Sequence, residues 1–275
     1  MMKHRIALLI SLLLVFIPLA AMGEGQGQEP EWVYPITADI LENRNGFLTI
    51  ASRDELLDSD FVPRNLQRVN VRSVVADPQL RKEAALALEA MFAAAQENGY
   101  TLYIKSAYRS YQTQNTMYHN RLEKYKKDDG VVAYPGSSDH QTGLGVDVLN
   151  YEWTRKEGMT PAFGETAEAK WMASVCAEYG FILRYLEGKE DITGIIYEPW
   201  HFRYVGEPVA RYIMDNGLTL EEFTQEYRAA IADYEAAGGD FAALARRLTA
   251  LPEAVTLTQT DSEGDSEVSF GGGLQ

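Results

Sequence analysis

Cysteine and positive charge are both scarce in this sequence of 275 residues. The single cysteine, Cys176, cannot form an internal disulfide, and the apolar helical pattern around it favours a packed thiol over a nucleophile. Lys and Arg number 25 against 40 Asp and Glu, which gives a net charge of −15. This charge argues against a nucleic-acid partner, because a duplex-binding protein needs a basic surface to neutralise phosphates.

The two ends of the chain have the compositions of a targeting segment and of a tail. Residues 1–23 combine a positive start, an apolar run over 6–17 and small residues, which predicts a signal peptide or, if it is not cleaved, a membrane anchor. Residues 24–30 are a Gly- and Gln-rich linker. Residues 251–275 lack Lys and Arg and predict a disordered acidic tail. We therefore expect an extracytoplasmic protein, secreted or anchored at the cell envelope.

The order of the predicted elements favours an α+β fold with a mainly antiparallel sheet flanked by helices. Regular βαβ alternation and a Gly-rich phosphate loop are both lacking. Helices are predicted over 77–98, 110–125, 165–179 and 207–216, and strands over 100–105, 144–149, 181–185 and 200–205. One domain is expected over 31–218. Thr219 and Glu222 form a capping box that opens a C-terminal helical extension over 219–250, which could pack on the core or form a small appendage.

Two short motifs contain two of the four histidines and two carboxylates, the residue types of a catalytic zinc site. His140 and Asp147 can face one site only if the glycine-containing segment between them bends. Glu198 and His201 follow about fifty residues later, on either side of a proline that prevents a helix. A lone histidine is more often a hydrogen-bonded core residue. The full set favours a metal, and two imidazoles favour a transition metal over magnesium or calcium.

Three segments together resemble the signature blocks of VanY-type D-alanyl-D-alanine carboxypeptidases. That family belongs to the LAS zinc metallopeptidases, named for lysostaphin, D-Ala-D-Ala metallopeptidases and sonic hedgehog. The resemblance covers roughly residues 64–216 and implies a LAS/hedgehog-like zinc peptidase fold, followed here by extra C-terminal helices. The matching segments read SAYRS at 106–110, SDHQTGLGVD at 138–147 and EPWHFRYVG at 198–206.

The resemblance also implies a role for each matching residue. Arg109 would hold the substrate and stabilise the oxyanion, and Glu198 would be the catalytic base. The Zn²⁺ ligands would be His140, Asp147 and His201. Contacts with the substrate are expected from Ser138, Arg109, Gln114, Tyr108 and Trp200. Tyr108 and Trp200 could as well be packing residues on the sequence alone. Many relatives have alanine where this chain has Gly145. We expect this difference to affect the shape of the pocket wall and not the binding of the metal.

The implied function is zinc-dependent removal of the terminal D-alanine from peptidoglycan stem peptides. We expect the protein to be a monomer. A peptidoglycan endopeptidase on the same scaffold is one alternative, because the loops that bind the rest of the substrate decide the bond that is cut. A non-catalytic zinc-containing module that binds the cell wall is another. The presence of Glu198 argues against that module, since a pure binder has no use for a base beside the metal.

Overall fold

Two antiparallel sheets organise the computed structural model, which describes residues 29–250. A two-stranded ribbon pairs β1 (Leu66–Arg68) with β2 (Gln79–Arg81). The strands of the central sheet are β3 (Leu102–Ser106), β4 (Gly145–Asn150), β5 (Phe181–Leu183) and β6 (His201–Tyr204). Their order in the sheet is β3-β4-β6-β5, and every neighbouring pair is antiparallel. The predicted α+β class with a mainly antiparallel sheet is confirmed.

Helices surround the central sheet, and several of them begin at side-chain caps, one of which was predicted. The Thr219–Glu222 capping box is present, and Ser110 caps its helix by accepting a hydrogen bond from the N–H of Thr113. The α-helices are α1 (Ala38–Leu41), α2 (Lys82–Glu97), α3 (Tyr111–Tyr125), α4 (Tyr151–Thr154), α5 (Ala167–Val175), α6 (Glu190–Thr193), α7 (Glu207–Asn216), α8 (Leu220–Ala236) and α9 (Phe241–Ala250). Short 3₁₀ helices cover Asp139–Thr142, Pro161–Glu165 and Cys176–Tyr179.

Two predicted helices have different bounds in the structure. The helix expected from residue 77 begins only at Lys82, because Gln79–Arg81 pair with β1 as a strand and use their backbone groups there. The helix expected over 165–179 is divided. Thr166 caps α5, and the chain tightens into a 3₁₀ turn from Cys176 before Gly180, whose φ is +74°.

Two hydrophobic cores lie on different parts of the sheet. The first packs α2 and α5 on the central strands, with Leu88, Met172 and Val148 fully buried, and it also contains Cys176, as its pattern predicted. The second joins residues 36–50 to Ile182 and to α7, α8 and α9. The C-terminal extension therefore packs on the fold. Of the predicted segments, 1–23, most of the 24–30 linker and the 251–275 tail lie outside the described residues. None of the helices within 29–250 has the length and apolar composition of a membrane-spanning segment.

Candidate metal centre and substrate pocket

The fold brings the three predicted metal ligands together from two strands and one 3₁₀ turn. Asp147 on β4 lies directly opposite His201 on β6 in the antiparallel register. His140 lies in the 3₁₀ turn that precedes β4. Gly143 ends that turn with a φ of +70°, a conformation that suits glycine, and this reversal directs His140 toward the strand that carries Asp147. All three side chains are buried.

The donor atoms of these residues face one point. Nδ1 of His201 lies 2.9 Å from Oδ1 of Asp147, and Nε2 of His140 lies 3.3 Å from Oδ2 of Asp147. One donor atom from each residue lies within 4.8 Å of the other two. Nδ1 of His140 donates to the carbonyl of Ala107 at 2.8 Å, and because a carbonyl only accepts, the proton is on Nδ1 and Nε2 is free to bind a metal.

Charges within this cluster shift the pKa values of its members. Burial alone would raise the pKa of Asp147, but the two imidazoles outweigh burial and hold it well below its usual range. Burial opposes protonation of His201, yet the carboxylates of Asp139 and Asp147 raise its pKa to about 9. Burial lowers the pKa of His140. The cluster therefore combines one ionised carboxylate with two imidazoles, and these are donor groups that can bind a metal cation in place of a proton.

Glu198 lies beside the cluster without belonging to it. Its N–H donates to the carbonyl of Tyr185, and its Oε2 lies 3.7 Å from Nδ1 of His201. The residue is only 8% exposed. Burial raises the pKa of its carboxyl to about 8, although His201 and Arg109 act in the opposite direction. A carboxyl whose pKa lies near neutrality is suited to accept and return a proton.

Arg109 is a partly buried cation that forms no ion pair with a carboxylate of the described residues. Its backbone N–H donates to the carbonyl of His140, and its guanidinium reaches the hydroxyls of Ser106 at 3.5 Å and Ser138 at 3.4 Å. Nε has no hydrogen-bond partner within 29–250. Burial lowers its pKa, whereas Asp147 and Glu198 act to raise it. The guanidinium therefore has donors to spare for an anionic group of a ligand.

A cavity of about 230 Å³ connects these groups. Its polar end holds the metal-ligand cluster together with Glu198, Arg109 and Ser138. Trp200 lines it as predicted, with 2% exposure. Apolar side chains form the remaining walls and include Met117, Val131, Val132, Met159 and Ile195. The cavity thus combines a polar end, which contains both the candidate metal ligands and a cationic guanidinium, with walls that suit small apolar groups.

Two predicted substrate contacts lie away from this cavity. Gln114 is fully buried and donates to the carbonyl of Ala133 at 2.6 Å, so it supports the loop that forms the wall but does not itself line the cavity. Tyr108 lines an adjoining groove of about 550 Å³, which Arg109 and Asp147 also line. A longer ligand could pass from the cavity into this groove and meet Tyr108 there.

Sequence reasoning overlooked three charged residues behind the cluster. Asp139, Arg184 and Arg203 are all buried, and both arginines form ion pairs with Asp139. Asp139 and Arg203 lie inside the two motifs, and their adjacency to His140 and His201 was the available signal. Arg184 offered none, because a charge on a short apolar strand pattern is normally interpreted as an edge residue that faces solvent.

Comparison with known proteins agrees with this geometry. The family model described as VanY, D-alanyl-D-alanine carboxypeptidase, matches residues 77–207. The putative carboxypeptidase YodJ of Bacillus subtilis is 40% identical over 198 residues, which are 69% of this chain and 71% of the relative. The solved structure of the LdcB LD-carboxypeptidase is similar with a TM-score of 0.62 and 40% identity, covering 67% of this chain and 88% of that one.

A second similar structure was solved with a bound metal ion. It is a variant of the vancomycin-resistance D,D-pentapeptidase VanY from a VanB-type resistance cassette, in complex with Zn(II). Its TM-score is 0.53 at 27% identity, and the similarity covers 64% of this chain and 97% of that one.

Proposed function

The chain belongs to the VanY D-alanyl-D-alanine carboxypeptidase family and is therefore a peptidase, and from that premise we propose that it is a zinc-dependent enzyme that trims peptidoglycan stem peptides. The bond that we expect it to hydrolyse joins the terminal D-alanine to the rest of the stem. One observation carries the proposal. The buried ligand cluster, Glu198 and Arg109 converge on a single cavity.

The donor set fits zinc. Two imidazole nitrogens and one carboxylate oxygen are a common set for a catalytic zinc ion, which keeps a further position for water. His140 would bind through Nε2, and His201 through Nδ1, the nitrogen that faces Asp147. Bound zinc supplies Lewis acidity and lowers the pKa of a coordinated water from 15.7 to about 7.

Glu198 is placed to carry the proton. It takes a proton from the attacking water and delivers it to the leaving amine, which keeps that amine from departing as an unstable anion. The raised pKa of Glu198 in the metal-free protein supports this assignment. A neighbouring cation favours the carboxylate form, so a bound metal would lower this pKa and leave Glu198 ionised and able to act as a base.

Arg109 and Ser138 are placed to bind the end of the substrate. Arg109 is the only lysine or arginine among the residues that line the cavity, and its unpaired donors suit the terminal carboxylate or the developing oxyanion. An enzyme that binds a terminal carboxylate removes the last residue. This feature favours a carboxypeptidase over an endopeptidase on the same scaffold.

The proposal is tested by D-alanine release from a stem pentapeptide that ends in D-Ala-D-Ala. The parent and Glu198→Gln are compared, with zinc content measured for both. We expect the variant to keep its zinc and to lose about 10²- to 10⁴-fold in kcat, the usual contribution of a general base. A parent that holds zinc but releases no D-alanine from any stem peptide would contradict the proposal.

An LD-carboxypeptidase is the second candidate, and its support is the 40% identity to LdcB. Both activities release D-alanine, but they differ in whether the residue before the cut is D or L. A tetrapeptide that lacks the last D-alanine of the pentapeptide separates them. Faster hydrolysis of the tetrapeptide would assign the LD activity, and faster hydrolysis of the pentapeptide the DD activity.

We also propose that the enzyme acts outside the cytoplasm as a monomer. The support for the location is the composition of residues 1–23 and the extracytoplasmic position of the polymer that it would trim. Fractionation of cells that express the full chain tests the location, and light scattering of the purified protein tests the monomer. Recovery in the cytoplasm would contradict the first, and a dimer mass the second.

A further inference from the structure

A fully buried ionic cluster lies directly behind the proposed metal ligands. Both carboxylate oxygens of Asp139 are used: Oδ2 accepts from Nε of Arg184 at 3.0 Å, and Oδ1 accepts from a terminal nitrogen of Arg203 at 2.5 Å. Arg203 also donates to the carbonyls of Phe47 and Thr49. Burial of charge is costly unless each group is paired, so an arrangement with two cations on one carboxylate needs further compensation.

Glu221 supplies that compensation from α8. Its two carboxylate oxygens accept from the terminal nitrogens of Arg184 at 2.8 and 2.5 Å, a bidentate pair. The cluster of Asp139, Arg184, Arg203 and Glu221 therefore contains two positive and two negative charges and is neutral. Glu221 lies beyond residues 77–207, which match the family model, in the C-terminal extension.

The cluster also contacts a proposed metal ligand. Nε2 of His201 has no hydrogen-bond partner within 29–250, and it lies 3.8 Å from Oδ2 of Asp139. If His201 binds a metal through Nδ1, its Nε2 carries the proton and faces Asp139. A carboxylate at that position fixes the ring orientation and increases the basicity of the ligand nitrogen.

We propose that Glu221 is a positioning residue for the metal centre, so that α8 contributes to metal binding. This inference rests on the proposed zinc site. By holding the terminal nitrogens of Arg184, Glu221 offsets one positive charge and leaves Asp139 able to accept from His201. Without the Glu221 carboxylate, the cluster has a net charge of +1 close to the cation site, and Asp139 is shared by two unopposed arginines. Both effects weaken zinc binding.

The test measures the zinc dissociation constant of the purified full-length protein by competition with a chromophoric chelator. Glu221→Gln removes the charge and keeps the shape, and Glu221→Asp keeps the charge. Glu226→Gln is the matched control, because Glu226 lies on the same helix but accepts from the hydroxyl of Tyr212. We expect Glu221→Gln to bind zinc about 10-fold more weakly or worse, in the range usual for partners of metal ligands, and the other two to stay within about 3-fold of the parent.

Thermal unfolding of the metal-free proteins separates positioning from simple stability. A purely structural role of Glu221 predicts a lower melting temperature with unchanged zinc affinity, and that result would overturn the inference. If Glu221→Gln does not fold, the inference is tested with Glu221→Asp instead, by the absorption spectrum of its Co²⁺ complex. We expect this spectrum to match that of the parent, because the retained charge keeps His201 in place. A changed spectrum would contradict the inference. A parent that binds no zinc refutes the proposed function itself, which distinguishes the two failures.

Discussion

Replacing Glu198 by glutamine should make the stability of the metal-free protein less dependent on pH. The carboxyl is buried, and its pKa is raised from 4.5 to about 8. Between these two values the unfolded chain carries an ionised carboxylate while the folded protein keeps the neutral form. Unfolding then releases a proton, so this contribution to stability is complete below pH 4.5 and is lost as the pH rises through 8.

The magnitude follows from the width of that pH range. Within this range, each pH unit lowers the free energy of unfolding by about 1.4 kcal/mol per proton released. Between pH 5.5 and 7.5, Glu198 alone should therefore lower the free energy of unfolding of the parent by on the order of 3 kcal/mol. His201, with a pKa raised to about 9, adds a loss of the same sign, and most of that loss remains in the variant. Glu198→Gln should therefore show a clearly flatter profile.

The assay is guanidinium unfolding in EDTA at pH 5.5, 6.5 and 7.5, followed by tryptophan fluorescence. Glu207→Gln is the control, because that glutamate is exposed and lies outside the site. Saturating zinc should reduce the difference between the parent and Glu198→Gln, since the cation favours the ionised carboxylate. Equal losses for the parent and Glu198→Gln in EDTA would refute the reasoning, because Glu198 would then be solvated and would not face a dry metal centre.

Three further changes have definite expected outcomes. Arg109→Lys should lower kcat/KM by about 100-fold or more while zinc content is unchanged, because lysine lacks the paired donors; a loss below 10-fold in steady-state kinetics would contradict the role. Gly145→Ala should destabilise the fold by about 1–3 kcal/mol in unfolding titrations, because the new Cβ would lie 3.0 Å from the carbonyl carbon and Cβ of Asp139. An unchanged free energy of unfolding would show that Asp139 moves easily. Cys176, whose pKa burial raises to about 12, should resist a thiol reagent at pH 8 until guanidinium unfolds the protein, and prompt reaction of the native protein would contradict its burial.

Features that depend on neighbouring residues could be predicted from the sequence. The helix over 207–216 has the predicted bounds, because Gly206 and Gly217 flank a strongly amphipathic stretch with proline at its second position. The capping box of α8 is likewise local, since Thr219 and Glu222 satisfy each other's backbone groups within one turn. The helix predicted from residue 77 failed for the opposite reason, because a distant strand, β1, pairs with Gln79–Arg81.

In the candidate site, too, some features could be predicted from the sequence and others depend on contacts between distant residues. Its residue types could be identified from the motifs, because catalytic chemistry requires imidazoles, carboxylates and an arginine whatever the fold. Their roles remain proposals, but the structure does bring His140, Asp147, His201, Glu198 and Arg109 to one cavity. It assigns Gln114 to loop support, a distinction between lining and supporting that the sequence does not contain.

The residue types of the site, the family resemblance and most of the local elements could be predicted from the sequence, because they depend on residue type and on spacing over a few positions. The sequence does not show that β4 and β6 align Asp147 with His201, or that Glu221 of α8 pairs with Arg184 behind the ligands. These contacts join residues 54 and 37 positions apart, and their energy comes from burial and charge pairing that exist only once the whole chain has packed.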